Sequence, residues 1–376
     1  MSRSSDPTAT GPVLHPGPVA VAPPPVVVRA EVESLTDLDP APETGKPSAG
    51  APVRPPVVLD LTSRGGNGDA VFLGLSRGAG AIVIAMIAFI AFFLLWRAVP
   101  ALSADASNFL TSRDWDPSSN PPRFGIAGLL YTTILLSAFA LLIAIPVSIG
   151  LALFITYYAP RRLATTMAYL VDLLAAVPSI IFGLWGLTSI APRLLPLASW
   201  VTGHLGTWPA TSWFPLMKPG ITDGGTIFTA GVVLAIMILP IVTAISREVY
   251  RQTPVEHRDG ALALGATRWE MIRLTVIPYG RSAVISGAML GLGRALGETI
   301  AVMIVLSTVF QGAAFNPSLF NGGETFASKI ANNAAEFNSP TQTGAFIAAG
   351  LVLFVVTFAV NLMARAVVRR GPRGTA

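Results

Sequence analysis

Six apolar stretches divide the chain beyond its first residues, at roughly 79–100, 125–158, 164–191, 225–246, 282–310 and 344–367. A helix rises about 1.5 Å per residue and a hydrocarbon core is about 30 Å thick, so each stretch can cross a bilayer. Water is absent there, and a spanning chain must satisfy its backbone amides internally, which favours helices. Only 12% of the residues are charged, against about 25% in a soluble domain. The pattern therefore predicts an all-α integral membrane protein with six transmembrane helices. The second and third stretches exceed one crossing and are expected to tilt or to run beyond the bilayer. Pro146, Pro178 and Pro240 lie inside stretches and are expected to kink them.

Residues 1–70 are rich in Pro, Ala and Val and have neither helical nor strand periodicity. They read as a disordered tail, followed by a membrane domain over 71–376. The first apolar stretch begins near Ala79, too far along for a signal peptide, so the tail is expected in the cytoplasm. With the N-terminus inside, fourteen arginines flank the inner ends of the stretches, against five basic residues in the outer loops. The positive-inside rule then places both termini in the cytoplasm, in a multi-pass protein of the cytoplasmic (inner) membrane. Loops 192–224 and 311–343 fall outside and are long enough to receive a partner.

Several kinds of chemistry are excluded. The chain has no cysteine, and His15, His204 and His257 lack metal-ligand spacing. The net charge of +5 is accounted for by arginines flanking the membrane, so no nucleic-acid partner is implied, whereas membrane lipid is. Gly45-Lys46-Pro47 lacks the neighbours and the following Ser or Thr of a nucleotide-binding loop. Neither a catalytic triad nor a carboxylate pair can be placed in a soluble pocket, and the chain is not read as an enzyme.

Arg294 and Glu298 lie inside the fifth stretch. Counted from Arg281, Arg294 is about 20 Å along the helix, near the bilayer centre. A charge there is costly and faces protein or a wet cavity. A continuous helix would put the two residues on one face, where they could neutralise each other. Gly287 and Gly291 would share that face. Two readings stand: a local ion pair that tightens packing, or a gate on the path of a polar solute. Asp172, in the third stretch, has the same two readings, a pair with a nearby base or a place on the path. Gly287/Gly291 and Gly293/Gly297 have the spacing of close helix contacts. Trp185 and Trp269 read as packing or interface anchors.

Residues 247–281 form the one sizeable internal cytoplasmic loop. Pro254 is expected to open a helix and Gly265 to mark a turn before a second one. Trp269, Ile272 and Val276 would share a face of that second helix. Such an element can lie on lipid or insert into a partner's groove. Asp259-Gly260-Ala261, Gly265 and Ile277-Pro278 resemble the loop motif of ABC importer permeases. That pattern is Glu-Ala-Ala, three residues, Gly, nine residues, Ile, one residue, Leu-Pro. The spacing matches throughout, with departures at Asp259, Gly260, Thr275 and Ile277. The resemblance implies a coupling helix seated in a cytoplasmic ATPase.

Two further segments narrow the resemblance. Asp172-Leu173-Leu174-Ala175-Ala176-Val177-Pro178-Ser179 with Phe182-Gly183-Leu184-Trp185-Gly186, and Gly293-Arg294-Ala295-Leu296-Gly297-Glu298-Thr299, resemble signatures of phosphate-importer permeases of the Pst system. The second is closer to the C-type subunit (PstC-like) than to the A-type. The resemblance covers about residues 75–370. It implies a type I ABC importer permease architecture that moves phosphate from an extracytoplasmic binding protein into the cytoplasm. It also implies a homologous second permease (PstA-like), two ATPase subunits (PstB-like) carrying ATP and Mg, and a phosphate-binding protein (PstS-like). Arg294, Glu298 and Asp172 would then line or gate the path. The alternatives are a permease for sulfate, molybdate or another oxyanion, an ion-coupled secondary transporter, and a membrane scaffold.

Overall fold

The structure, a computed structural model, describes residues 67–204, 215–220, 223–309 and 315–370. The tail expected over 1–70 falls outside the described residues up to 66. Residues 67–70 instead open the first helix, α1 (Asn67–Ala104), where Asp69 sits in the first turn and favours the positive helix end. A two-residue hairpin, β1 (Trp115–Asp116) against β2 (Arg123–Phe124), leads into α2 (Ala127–Leu153). Then come α3 (Arg161–Ala175), α4 (Ser179–Trp185), α5 (Ala191–His204) and α6 (Ile227–Arg251). Short helices α7 (Val255–Ala263) and α8 (Arg268–Met271) precede α9 (Ile277–Leu296). The chain closes with α10 (Ile300–Val305), α11 (Phe326–Asn332) and α12 (Pro340–Arg370).

Five helical runs among the described residues are long and apolar enough to cross a membrane: Gly68–Ala104, Ala127–Tyr158, Ser179–His204, Ile227–Arg251 and Pro340–Met363. The protein is thus mostly helical and multi-pass. Four of these runs fall on expected stretches, and the other two expected stretches, the third and the fifth, are corrected. The third does not run unbroken over 164–191. It ends with α3 at Ala175 and restarts at Ser179, because Pro178 removes a backbone donor and disfavours helix in the residue before it. The spanning run then continues through a wider turn, Gly186–Ile190, into α5, taking in residues 192–204 that the sequence assigned to a loop. The fifth stretch, 282–310, is split at Gly297-Glu298-Thr299. Pro146 and Pro240, by contrast, sit within continuous helices. Beside Pro240, Ser148 on α2 donates a hydrogen bond to the Leu239 carbonyl, 3.0 Å away.

α2, α6 and α9 pack together, α4 lies against α10, and α1 runs along α12. The central core joins Leu136 and Ala140 of α2, Phe182 of α4, Val233, Ile238 and Val242 of α6, and Val302 of α10. Glycines permit the closest approaches. A Cβ on Gly291 would lie 2.6 Å from Ile238 Cγ2, and one on Gly186 would lie 2.6 Å from Val233 Cγ2. At the hairpin end, Trp115, Phe124, Phe326 and Phe346 form a second cluster. At the opposite end, Leu153, Tyr250, Ile272 and Val276 form a third, which anchors the α7–α8 segment.

Candidate functional site

Arg294 and Glu298 are not a helical pair. α9 ends at Leu296 and Gly297 closes it, so Glu298 lies beyond the helix. Its carboxylate is buried and accepts the Ala301 N–H at 3.3 Å, at the start of α10. The acid thus satisfies one of the orphan amides of a new helix, where the dipole also favours its charge. Arg294 remains exposed in the last turn of α9 and forms no ion pair among the described residues. The expectation of mutual neutralisation fails because Gly297 and the competing cap interrupt the helix between them. Gly287 and Gly291 face α6, where their added Cβ atoms would meet Ile245 and Ile238. Gly293 is open and a Cβ on Gly297 would make only one ordinary contact, so that second pair is not a close helix contact.

Arg294 lines an open groove of about 1210 Å³ between α9 and α12, with Ile241 of α6 at its side. Ser286 and Leu290 of α9 and Asn361 and Arg365 of α12 share its wall. Sequence reasoning counted Arg365 only as a flanking base and passed over Asn361. No local signal could have found them, because α9 and α12 meet only through the tertiary fold.

Asp172 is placed elsewhere. Its carboxylate lies 3.6 Å from the Arg247 guanidinium and ties α3 to α6. The Asp172 side chain is half exposed, so the pair contributes at most about 1 kcal/mol. Of its two readings, the geometry shows the pairing one.

The 247–281 segment matches its predicted outline. Pro254 precedes α7, and Gly265 adopts φ +88°, a left-handed turn that glycine accepts without strain. Ala266 N–H to Ala261 carbonyl and Gly265 N–H to Leu262 carbonyl close α7. Thr267 and Glu270 then form a reciprocal cap for α8. The Thr267 N–H, and next its hydroxyl, hold the Glu270 carboxyl below its usual range. Asp259 and Gly260 are exposed on α7, whereas Ala261 and Ile277 pack at the edge of the cluster around Tyr250. Thr275 donates its hydroxyl to the Met271 carbonyl inside a wider turn, Ile272–Val276, which passes into α9 near Pro278. That turn explains one departure: Ile272 and Val276 are buried but Trp269 is 54% exposed, because the helical register shifts between them. None of the α7 residues is buried, and Leu264 is 91% exposed. Trp185 is also exposed.

At the hairpin end, a cavity of about 170 Å³ is lined by Arg113, Tyr131, Thr132, Glu324 and Lys329 among others. Lys329 pairs with Glu324 at 2.8 Å, both largely buried, and the Arg113 guanidinium lies 3.8 Å from the Phe315 ring centre. The cations here are therefore already balanced or stacked.

Residues 144–371 match the family described as the binding-protein-dependent transport system inner membrane component. The chain is 53% identical over 304 residues to phosphate transport system permease protein PstC 2 of Mycobacterium tuberculosis, covering 80% of this chain and 91% of that one. It is 54% identical over 281 residues to the PstC protein of Mycobacterium leprae, covering 74% and 86%. Among solved structures, it is similar to the MetNI methionine ABC transporter in inward-facing form, with TM-score 0.46 and 16% identity over 66% of this chain and 96% of that one. The chain therefore belongs to the binding-protein-dependent inner membrane permeases and, within them, to the PstC-like group, as a non-catalytic membrane subunit.

Proposed function

We propose that this chain is the channel-forming subunit of an ATP-driven importer of inorganic phosphate. The observation that carries the reading is an arginine that lines an open groove and is free of any ion pair among the described residues, in a chain over 50% identical to phosphate permeases. A guanidinium stays charged and matches oxyanion geometry in a bidentate way. Glu298 is not among the residues lining the groove, and its carboxylate is turned to the Ala301 N–H. Glu298 then holds the α9–α10 break, and Asp172 fastens α3 at the edge of the path.

The α7–α8 end is assigned to the cytoplasm, with both termini there. An ATPase carrying ATP and Mg takes α7, where Leu262 and, just past the helix end, Leu264 are exposed. A homologous second permease (PstA-like) completes the channel, two PstB-like ATPases dock below, and a PstS-like phosphate-binding protein docks at the hairpin end. The test is uptake by the reconstituted assembly with labelled phosphate. Uptake that needs ATP and the binding protein, and that excess sulfate or molybdate does not compete away, supports the reading. Uptake of sulfate or molybdate in its place would assign the chain to another oxyanion. ATP-independent uptake would indicate an ion-coupled carrier.

A further inference from the structure

We infer that the α9–α12 groove is a second station on the anion's route, in which Arg365 takes over the oxyanion that Arg294 admits and Asn361 and Ser286 complete its coordination. The inference rests on the phosphate-permease reading above. Ser286 and Arg294 are eight positions apart on α9, about 12 Å along the axis, and both line the groove. Asn361 and Arg365 are four apart on α12 and share one face. No acidic residue lines the groove, and neither arginine has an ion-pair partner among the described residues. The hairpin-end cavity differs, since its Lys329 is held by Glu324. A guanidinium beside apolar walls, with no acid to balance it, favours an oxyanion, and each of the two arginines offers the groove such a place.

Ser286 adds a preference. Its hydroxyl donates to the Ser282 carbonyl at 3.0 Å, which commits its proton and leaves the oxygen to accept. Phosphate at neutral pH keeps a P–OH donor, and sulfate has none. A phosphodiester lipid headgroup shares the charge but also lacks that donor.

The test uses the complete transporter in vesicles, with the second permease, ATPase and binding protein. Wild-type uptake is measured first, and its absence would sink the permease reading itself rather than the groove. Given uptake, Arg365→Gln should lower its maximal rate about ten- to hundredfold, the span of one lost charge-assisted hydrogen bond. Arg365→Lys should recover part of it. Because the chain has no cysteine, Asn361→Cys supplies a second readout. Its labelling by an anionic thiosulfonate should slow severalfold when phosphate is added, and not with sulfate. Labelling decides the case should Arg365→Gln fail to assemble. Wild-type rates in Arg365→Gln, or labelling unaffected by phosphate, would overturn the station. Protection that follows anionic lipid content and ignores phosphate would assign the groove to a headgroup instead.

Discussion

Arg294 and Glu298 stand on either side of a helix end, the base in the last turn of α9 facing a groove and the acid capping α10 through Ala301. They have no shared partner, so their substitutions should act independently. Arg294→Gln should abolish phosphate uptake while leaving the assembly intact. Glu298→Ala should destabilise the start of α10 by about 1 kcal/mol, as for a lost cap. Glu298→Gln should be milder, because its amide oxygen still accepts the Ala301 N–H. In the double-mutant cycle the stability changes should add within about 0.5 kcal/mol. A double mutant restored to normal uptake would show a buried ion pair after all.

The coupling segment makes a sharper prediction about two glycines. Gly265 has φ +88°, so Gly265→Ala should cost about 1–2 kcal/mol and loosen the turn. Gly260 is open and helical, so Gly260→Ala should be tolerated and should gain up to about 1 kcal/mol in α7. Gly265→Pro and Ala261→Asp should both uncouple ATP hydrolysis from uptake. Co-purification of the ATPase and uptake, measured together, check this. Normal values in Gly265→Pro and Ala261→Asp would remove α7 from the docking role.

The outline of this fold was legible because membrane burial imposes long apolar runs and the loop motif has fixed spacing. Pro254 and Gly265 act locally, through a fixed φ and a left-handed turn, so their roles could be read directly. The split at Gly297 could not, since a single glycine is tolerated in many helices and only the cap from Glu298 tips the balance. The placement of Arg365 in the same groove as Arg294 was also hidden. It depends on α9 packing along α12, which no spacing within either helix encodes. The partner of Asp172 was foreseen in kind, a nearby base, but not as Arg247.

Glycine packing in α9 separates two positions with the same sequence signal. Gly291→Ala would place a Cβ 2.6 Å from Ile238, and overpacking of this kind costs about 1–3 kcal/mol. Gly293→Ala meets nothing within 4 Å and should be close to neutral. Thermal stability of the detergent-solubilised chain distinguishes them. Equal loss in both would mean that α9 sits differently against α6.

Lys329 and Glu324 offer a contrast with the groove, because here the cation is already paired and largely buried. Removing one member leaves an uncompensated charge, at about 3–5 kcal/mol in a buried setting. Lys329→Met should therefore destabilise the hairpin end strongly, and adding Glu324→Gln should recover most of the loss. Uptake should follow stability across this cycle. A Lys329→Met protein that is stable but transports nothing would instead give the lysine a direct role in admitting phosphate.

Sidedness can be tested with single cysteines, since the chain has none of its own. Ser318 would be a poor reporter despite lying in the expected outer loop, because it is fully buried and donates to backbone carbonyls including that of Lys218. Thr111 at the hairpin end is exposed, and Leu264 at the far end is 91% exposed. In intact cells, Thr111→Cys should react with a membrane-impermeant reagent, and Leu264→Cys only after the membrane is opened. The two positions flank the same bundle at opposite ends, so one pattern excludes the other. The reverse pattern would place α7 outside, where no ATPase could reach it, and would overturn both the topology and the coupling role.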